Sequence, residues 1–271
     1  MAYNLFDLTG KTALVTGGNS GLGLGFARGM AKQGADIMLW SRGLERNKVA
    51  EEELREYGAK AYSRSVDVSS EEAVKDGIAD AVARMGRLDC VVANAGAFSA
   101  APSFEEMDAD MWHTLLNTNL HGAFYTLREG ARHMVERAKK GDPGGSLMIC
   151  GSLSIFAGVP GMAHYGAAKG ALVSVMKSAA VDLGKYGIRV NVVAPGYIKT
   201  HEATWESRGE PPKNPPPPGP HDQIFINSTP LGRVGYPNDF EGIAAYLASD
   251  AARFHTGDVI TIDGGYMAST F

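Results

Sequence analysis

The sequence predicts an α/β fold in which a parallel sheet is covered on both faces by helices. Three observations predict it. Strand-like and helix-like segments alternate along the chain. The strand-like segments are short and apolar throughout, as strands buried on both faces must be. A glycine-rich turn, Thr16-Gly17-Gly18-Asn19-Ser20-Gly21-Leu22-Gly23, leads from the first strand into the first helix.

Residues 11–16 form the first strand, a β-branched run that ends in glycines. Residues 21–33 have helical apolar spacing and stop before Gly34. A second strand at 36–40 precedes a charged helical stretch at 44–57. Residues 60–65 read as a strand, and 70–85 as a helix with Ser69 or Ser70 as its cap. Residues 88–93 are a near-continuous apolar run, 109–137 one long helix, and 146–150 the next strand. A second long helix at 162–186 is ended by Gly187. The last strands are 188–193 and 259–262, with a helix at 239–248 between them.

Residues 199–229 break this rhythm. They lack strong periodicity and hold a proline-dense stretch at 211–220. Long loops in compact domains often act as lids. This one follows the C-terminal end of a strand, where open α/β sheets bind ligands. The chain is therefore read as a single domain over residues 1–271 with a substrate lid at 199–229. A solvated, polyproline-like surface loop is the alternative.

Net charge is −4, with both signs mixed along the chain and no basic stripe, so nucleic acid is not an expected partner. No apolar run reaches the roughly 18 residues that span a membrane. No basic segment precedes an apolar stretch at the N-terminus, so no secretion signal is expected. Cys90 and Cys150 fall in strands expected to be buried and lack metal-ligand spacing. They suggest free thiols in a reducing compartment, hence a cytoplasmic protein without a metal site.

Glycines in the first turn let a pyrophosphate approach the backbone, while the helix N-terminus supplies amides and positive potential. The candidate contacts are Gly17, Asn19, Ser20, Gly21, Leu22 and Gly23. The tip of the second strand distinguishes the nicotinamide cofactors. A carboxylate there binds the ribose hydroxyls of NAD, and an arginine accommodates the 2′-phosphate of NADP. This strand ends Leu39-Trp40-Ser41-Arg42, without a carboxylate. NADP(H) is therefore preferred, with Ser41 and Arg42 at the phosphate, and NAD(H) is the alternative. Asp67 and Val68 follow the third strand, where the adenine ring is expected. The small residues Asn94, Ala95 and Gly96 let the cofactor lie against the sheet edge, and Pro195-Gly196 borders the nicotinamide.

Tyr165 and Lys169 stand four residues apart, a spacing that stacks both on one helix face. An ammonium beside a phenol favours the phenolate. Such a tyrosine can exchange a proton with an alcohol or a ketone. Ser152, thirteen residues before Tyr165, offers a hydroxyl that could hold the substrate oxygen.

In this order, Thr16-Gly17-x-x-x-Gly21-x-Gly23, Asn94-Ala95-Gly96, Asn119, Ser152, Tyr165-x-x-x-Lys169, Pro195-Gly196 and Ile262-Asp263-Gly264-Gly265 resemble the short-chain dehydrogenase/reductase family over nearly the whole chain. The resemblance implies a Rossmann-like, doubly wound parallel sheet of about seven strands and NAD(P)-dependent alcohol–ketone chemistry. It implies a homotetramer, or a homodimer, built partly from the two long helices. By the same resemblance, Tyr165 is the general acid in ketone reduction and the base in alcohol oxidation. Lys169 favours the tyrosinate and binds the nicotinamide ribose, and Ser152 positions the substrate oxygen. Asn119 holds a water in a proton relay. Thr200 contacts the carboxamide or pyrophosphate, with Ile198 among the cofactor contacts.

Phe98, Ser154, Phe156, His164, Tyr197 and Trp205 suggest a mixed apolar and aromatic substrate pocket, with core packing equally open for Phe98 and Phe156. His164 adjoins Tyr165 in sequence, but adjacent helical residues do not share a face, so no catalytic role is assigned to it. The expected activity is an NADPH-preferring interconversion of a small ketone and a secondary alcohol. The C-terminal stretch also resembles sugar-acid dehydrogenases and 3-oxoacyl reductases. A gluconate-type dehydrogenase and a 3-oxoacyl thioester reductase are thus the alternatives. The basic pair expected for an acidic carrier protein is incomplete, with Arg132 present but Tyr186 at the second position. A non-catalytic NADP-binding sensor is a rival of another class, and the intact Asn119, Ser152, Tyr165 and Lys169 argue against it.

Overall fold

Alternate residues of each central strand face opposite cores, and this sets the layering. In β1 (Thr12–Thr16) every position is buried. Ala13 and Val15 join Ile37 and Leu39 of β2 (Asp36–Trp40) in one cluster, while Leu14 joins Met38 and Trp40 in another. This is the two-residue period of a strand buried on both faces. The structure, a computed structural model, describes residues 4–200 and 219–269.

Five further strands complete the sheet: β3 (Ala61–Arg64), β4 (Cys90–Ala93), β5 (Gly145–Cys150), β6 (Ile188–Pro195) and β7 (Val259–Ile262). All pair in parallel, in the order β3-β2-β1-β4-β5-β6-β7. The order reverses between β1 and β4, so a crevice opens at their C-terminal ends.

One face is covered by α1 (Gly21–Ala31), α2 (Leu44–Glu56) and α8 (Glu241–Ala248), which contribute Phe26, Leu54, Ala244 and Leu247. A Cβ on Gly25 would lie 2.2 Å from the Pro237 carbonyl oxygen, and one on Gly29 would lie 2.1 Å from that of Glu241. The α1 backbone therefore rests directly on the chain around α8, and Phe26 meets Phe240 edge-on at 6.0 Å. The other face carries α3 (Glu71–Met85), α5 (Ala123–Lys139) and α6 (Ala163–Leu183), with Val74, Leu127 and Leu172 in its core. Ser70 is the cap of α3, its Oγ accepting from the Ala73 N–H at 3.2 Å. The Ser69 hydroxyl donates to Asp67 instead.

Several boundaries differ from the sequence expectation. The long helix at 109–137 is interrupted: α4 (Ala109–Leu116) passes into a π-helical segment, Asn117–Gly122, before α5. A side chain bonded outside its own helix can hold such a widened turn, and Asn119 is bonded to Ala97. The helix expected at 162–186 is α6 followed by a 3₁₀ turn, Gly184–Tyr186. The helix expected at 239–248 is a 3₁₀ turn, Pro237–Phe240, leading into α8. The expected lid at 199–229 contains a helix, α7 (Pro220–Ser228), with proline at its first turn. Tertiary contact rather than an apolar stripe holds α7, because Phe225 stacks on Tyr197 with ring centroids 4.1 Å apart. Residues 201–218, with the proline-dense stretch up to Pro218, lie outside the described residues. The chain ends in a short helix, α9 (Tyr266–Ser269). Both cysteines are buried free thiols. Among the described residues no helix is long and apolar enough to cross a membrane.

Candidate active site

β1 hands over to α1 through Gly17, whose φ of +62° lies in the region that favours glycine. A Cβ at Gly23 would stand 2.2 Å from the Gly17 carbonyl oxygen, so only glycine lets α1 start this close to the loop. Ser20, the N-cap, makes no side-chain cap bond, and the first turn of α1 holds no acidic residue. The amides there remain open to an anion and nothing in that turn repels one. The Thr200 side chain lies 3.3 Å from where a Cβ of Gly21 would stand. An uncapped helix N-terminus floored by glycines fits a pyrophosphate.

Thr16 braces this turn. Its hydroxyl accepts from the Asn94 and Ala95 N–H groups, each at 2.9 Å, and Asn94 Nδ2 donates back to the Thr16 carbonyl at 2.9 Å. Asn94 and Ala95 are thereby locked across the crevice to the glycine turn, and Gly96 lies against the Asn119 side chain. A second brace runs to the tip of β2. Asn19 Nδ2 donates to Asn47 Oδ1 at 2.8 Å, and Asn47 Nδ2 donates to the Ser41 carbonyl at 3.1 Å. Sequence reasoning missed Asn47, although a signal existed. It stands on the buried stripe of α2 with Ala50 and Leu54, where an apolar residue is expected.

Beyond Ser41, the Arg42 side chain is exposed and makes no hydrogen bond or ion pair with any described residue. The Asp67 carboxyl is held below its usual range by the hydroxyl and backbone N–H of Ser69, at 2.7 and 3.0 Å, with burial opposing and the Arg42 charge adding. Val68 is buried, and its carbonyl and side chain pack against Gly122. Pro195 ends β6, Gly196 donates to the Ile262 carbonyl at 2.9 Å, and Ile198 packs over Gly235.

The pair expected to react is built on α6. Tyr165 and Lys169 lie within its first two turns. Lys169 is buried, and its Nζ donates to the Cys150 carbonyl at 2.7 Å while lying 5.7 Å from the Tyr165 ring centroid. The lysine is thus fixed between the end of β5 and the tyrosine. Ser152 opens the 3₁₀ turn Leu153–Ile155, and its Oγ accepts from the Ser154 N–H at 3.2 Å. Acceptance leaves its O–H free to donate. That turn packs on α6, with the Ser154 carbonyl 3.6 Å from where a Cβ of Gly166 would stand. Asn119 is buried. Its Oδ1 accepts from the Ala97 N–H at 2.6 Å and its Nδ2 donates to the Ala97 carbonyl at 2.8 Å, leaving one Nδ2 hydrogen unspent.

The residues expected to line a substrate pocket separate into distinct environments. The Phe98 ring meets Tyr165 edge-on at 5.8 Å with its other side exposed, and Phe156 is half exposed. Ser154 Oγ is buried without a partner among the described residues. His164 is enclosed, with Nε2 2.9 Å from Ser99 Oγ, so its ring stands behind the wall rather than on it. Tyr197 donates its hydroxyl to Asp222 at 3.1 Å and stacks on Phe225, which makes it an anchor of α7. Trp205 lies outside the described residues. Among the described residues no group of three His, Cys, Asp or Glu side chains is arranged to hold a metal ion.

Fold and site together define a dinucleotide-dependent oxidoreductase. Residues 17–267 match a family model described as enoyl-(acyl carrier protein) reductase. The chain is 35% identical to gluconate 5-dehydrogenase of Gluconobacter oxydans over 266 residues, 98% of each chain. A short-chain type dehydrogenase/reductase from Mycobacterium marinum superposes with a TM-score of 0.85 at 32% identity, covering 97% of both chains. A gluconate 5-dehydrogenase from Burkholderia cenocepacia, solved in complex with NADP and tartrate, superposes with a TM-score of 0.86 at 31% identity over 100% of both chains. The chain belongs to the short-chain dehydrogenase/reductase family and is an NAD(P)-dependent oxidoreductase.

Proposed function

We propose that this enzyme prefers NADPH and interconverts a small ketone and a secondary alcohol. The observation that carries the reading is the half-buried Tyr165 with a buried Lys169 behind it and an unspent Ser152 hydroxyl on the adjoining turn. When bound, the nicotinamide supplies or accepts the hydride. The Ser152 O–H donates to the substrate oxygen and orients it. Tyr165 gives its phenolic proton to that oxygen during reduction and takes it back during oxidation. Lys169, held by the Cys150 carbonyl, sets its Nζ 5.7 Å from the centre of the ring that carries negative charge after the transfer. The remaining Nδ2 hydrogen of Asn119 is available to a water that returns the proton. Phe98 and Phe156 give the substrate an apolar, aromatic wall.

Preference for NADPH rests on Arg42, the exposed cation beyond Ser41 that pairs with no described residue. Gly17, Gly21 and Gly23 would hold the pyrophosphate, and Thr200, beside Gly21, would contact the carboxamide or the pyrophosphate. The enzyme acts as an oligomer of identical chains. Support comes from an apolar groove of about 540 Å³ between α5 and α6 that reaches Leu147 and Val190 of the sheet, lined by Phe124, Leu127, Ala131, Val135, Ala179 and Leu183.

The test is steady-state oxidation of NADPH and NADH over cyclic ketones, aryl ketones, keto sugars and 3-oxo esters, with Tyr165→Phe as blank. Turnover of one carbonyl class that vanishes in the variant supports the reading. Cofactor binding without turnover of any class refutes it in favour of a sensor. A sugar-acid dehydrogenase is the second reading, favoured by the names of the relatives from Gluconobacter oxydans and Burkholderia cenocepacia. Selective turnover of 5-keto-gluconate would establish it.

A further inference from the structure

The segment that leaves β4 toward the site is held residue by residue. Asn119 grips both backbone groups of Ala97. Phe98 packs edge-on against Tyr165 at 5.8 Å and 65°. Ser99 Oγ meets His164 Nε2 at 2.9 Å. The Ala101 N–H donates to the Gly161 carbonyl at 2.9 Å. Phe98 is itself 74% exposed, so burial does not keep its ring on the tyrosine. Its neighbours must. The Ser99–His164 bond joins the residue beside Phe98 to the residue beside Tyr165.

His164 is a costly residue at this position. The ring is fully buried, and Nδ1 has no partner among the described residues. Either tautomer leaves Nδ1 unsatisfied while Nε2 meets Ser99. An apolar side chain of similar size would avoid that penalty. What His164 offers and an apolar residue cannot is the bond to Ser99.

We propose that His164 is a positioning residue: through Ser99 it holds Phe98 against Tyr165 and so fixes the tyrosine's orientation. The proposal builds on the reading of Tyr165 as proton donor. It predicts that the residue before the tyrosine acts through the opposite wall rather than by touching substrate.

Four variants test it: Ser99→Ala, His164→Leu, Phe98→Ala and His164→Gln, whose amide reaches toward the Nε2 position. In NMR spectra of the full chain, the Tyr165 ring signals, identified by their loss in Tyr165→Phe, feel the ring current of Phe98. They should move in Ser99→Ala and His164→Leu toward their positions in Phe98→Ala, and stay in His164→Gln. With a turned-over ketone, Ser99→Ala and His164→Leu should lower kcat by about two- to tenfold, the worth of one neutral hydrogen bond. NADPH affinity should not change. Ser99→Ala added to Phe98→Ala should cause no further loss, since both act on one contact. Unmoved ring signals in Ser99→Ala, or losses that multiply in the double variant, overturn the proposal. If no carbonyl is turned over, the proton-donor reading fails instead, and the ring signals still decide the role of His164. Ser99→Ala removes a half-buried hydroxyl and is the safeguard should His164→Leu fail to fold.

Discussion

Replacing Arg42 by alanine tests the proposed basis of a preference for NADPH. The side chain hydrogen-bonds no described residue, so within the described structure the substitution removes only its charge interaction with Asp67, and its main effect falls on binding. Two unit charges about 4 Å apart at an effective surface dielectric of about 20 interact by about 4 kcal/mol. An exposed guanidinium is screened by water and salt, which brings the expectation to that of a charge-assisted hydrogen bond, about 1.5–3 kcal/mol. Asp67 lowers it further within that range. Its carboxyl is ionised at neutral pH, held so by Ser69, and lies within the field of Arg42, where it opposes a phosphate. The expected loss in NADPH affinity is about 10- to 150-fold, toward the smaller figure. NADH lacks the 2′-phosphate and should change by less than about threefold, as an ordinary surface substitution does. Fluorescence titration of both cofactors measures this directly. The NADPH penalty should shrink as ionic strength rises from about 0.01 to 0.15 M, where the Debye length falls from about 30 to about 8 Å. Equal losses for the two cofactors, or none for either, would refute the assignment.

Other outcomes follow from the same geometry. Tyr165→Phe should lower kcat by about 10²- to 10⁴-fold, the usual worth of a general acid, with cofactor affinity retained in a binding titration. Neither thiol should react with iodoacetamide in the folded protein. Burial pushes the Cys90 thiol up to about 12 and raises that of Cys150, so mass spectrometry should find two alkylated cysteines only after denaturation. The docking of α7 should loosen in acid. Burial raises the Asp222 carboxyl, but Lys199 and Tyr197 outweigh it and set it below the ordinary 3.8. A depressed carboxyl stabilises the folded state above its unfolded value, and that contribution disappears as pH falls through the folded value. Limited proteolysis near α7 should therefore accelerate only below about pH 4, and Asp222→Asn should remove that dependence. Gly23→Ala should abolish dinucleotide binding while leaving an α/β circular dichroism spectrum, because its methyl would collide with the Gly17 carbonyl.

Much of the architecture was legible in the sequence because its causes are local. Short apolar runs between helical stretches gave the order of strands and helices, and the last strand matched at both ends, Val259–Ile262. Proximity of Tyr165 and Lys169 follows from helical pitch alone. The glycine turn announced itself because only glycine permits the close approach of Gly23 to Gly17. Local pattern also misled. The apolar spacing across 109–137 looks continuous, because one π-helical turn adds a residue without removing the stripe. The proline-dense region hid α7, a nine-residue helix held by an aromatic stack rather than by amphipathic spacing.

By itself the sequence determined the parallel α/β class, the glycine turn between the first strand and helix, and a tyrosine and lysine on one helix face. Tertiary structure decided how these pieces are braced. Thr16 bonds Asn94 across 78 residues, Asn19 bonds Asn47 across 28, and Ser99 meets His164 across 65. No periodicity links such partners, because each contact exists only once the sheet order brings two strand ends to the same crevice. Orientation of a reactive side chain is a property of that assembly, whereas its spacing along a helix is a property of the chain.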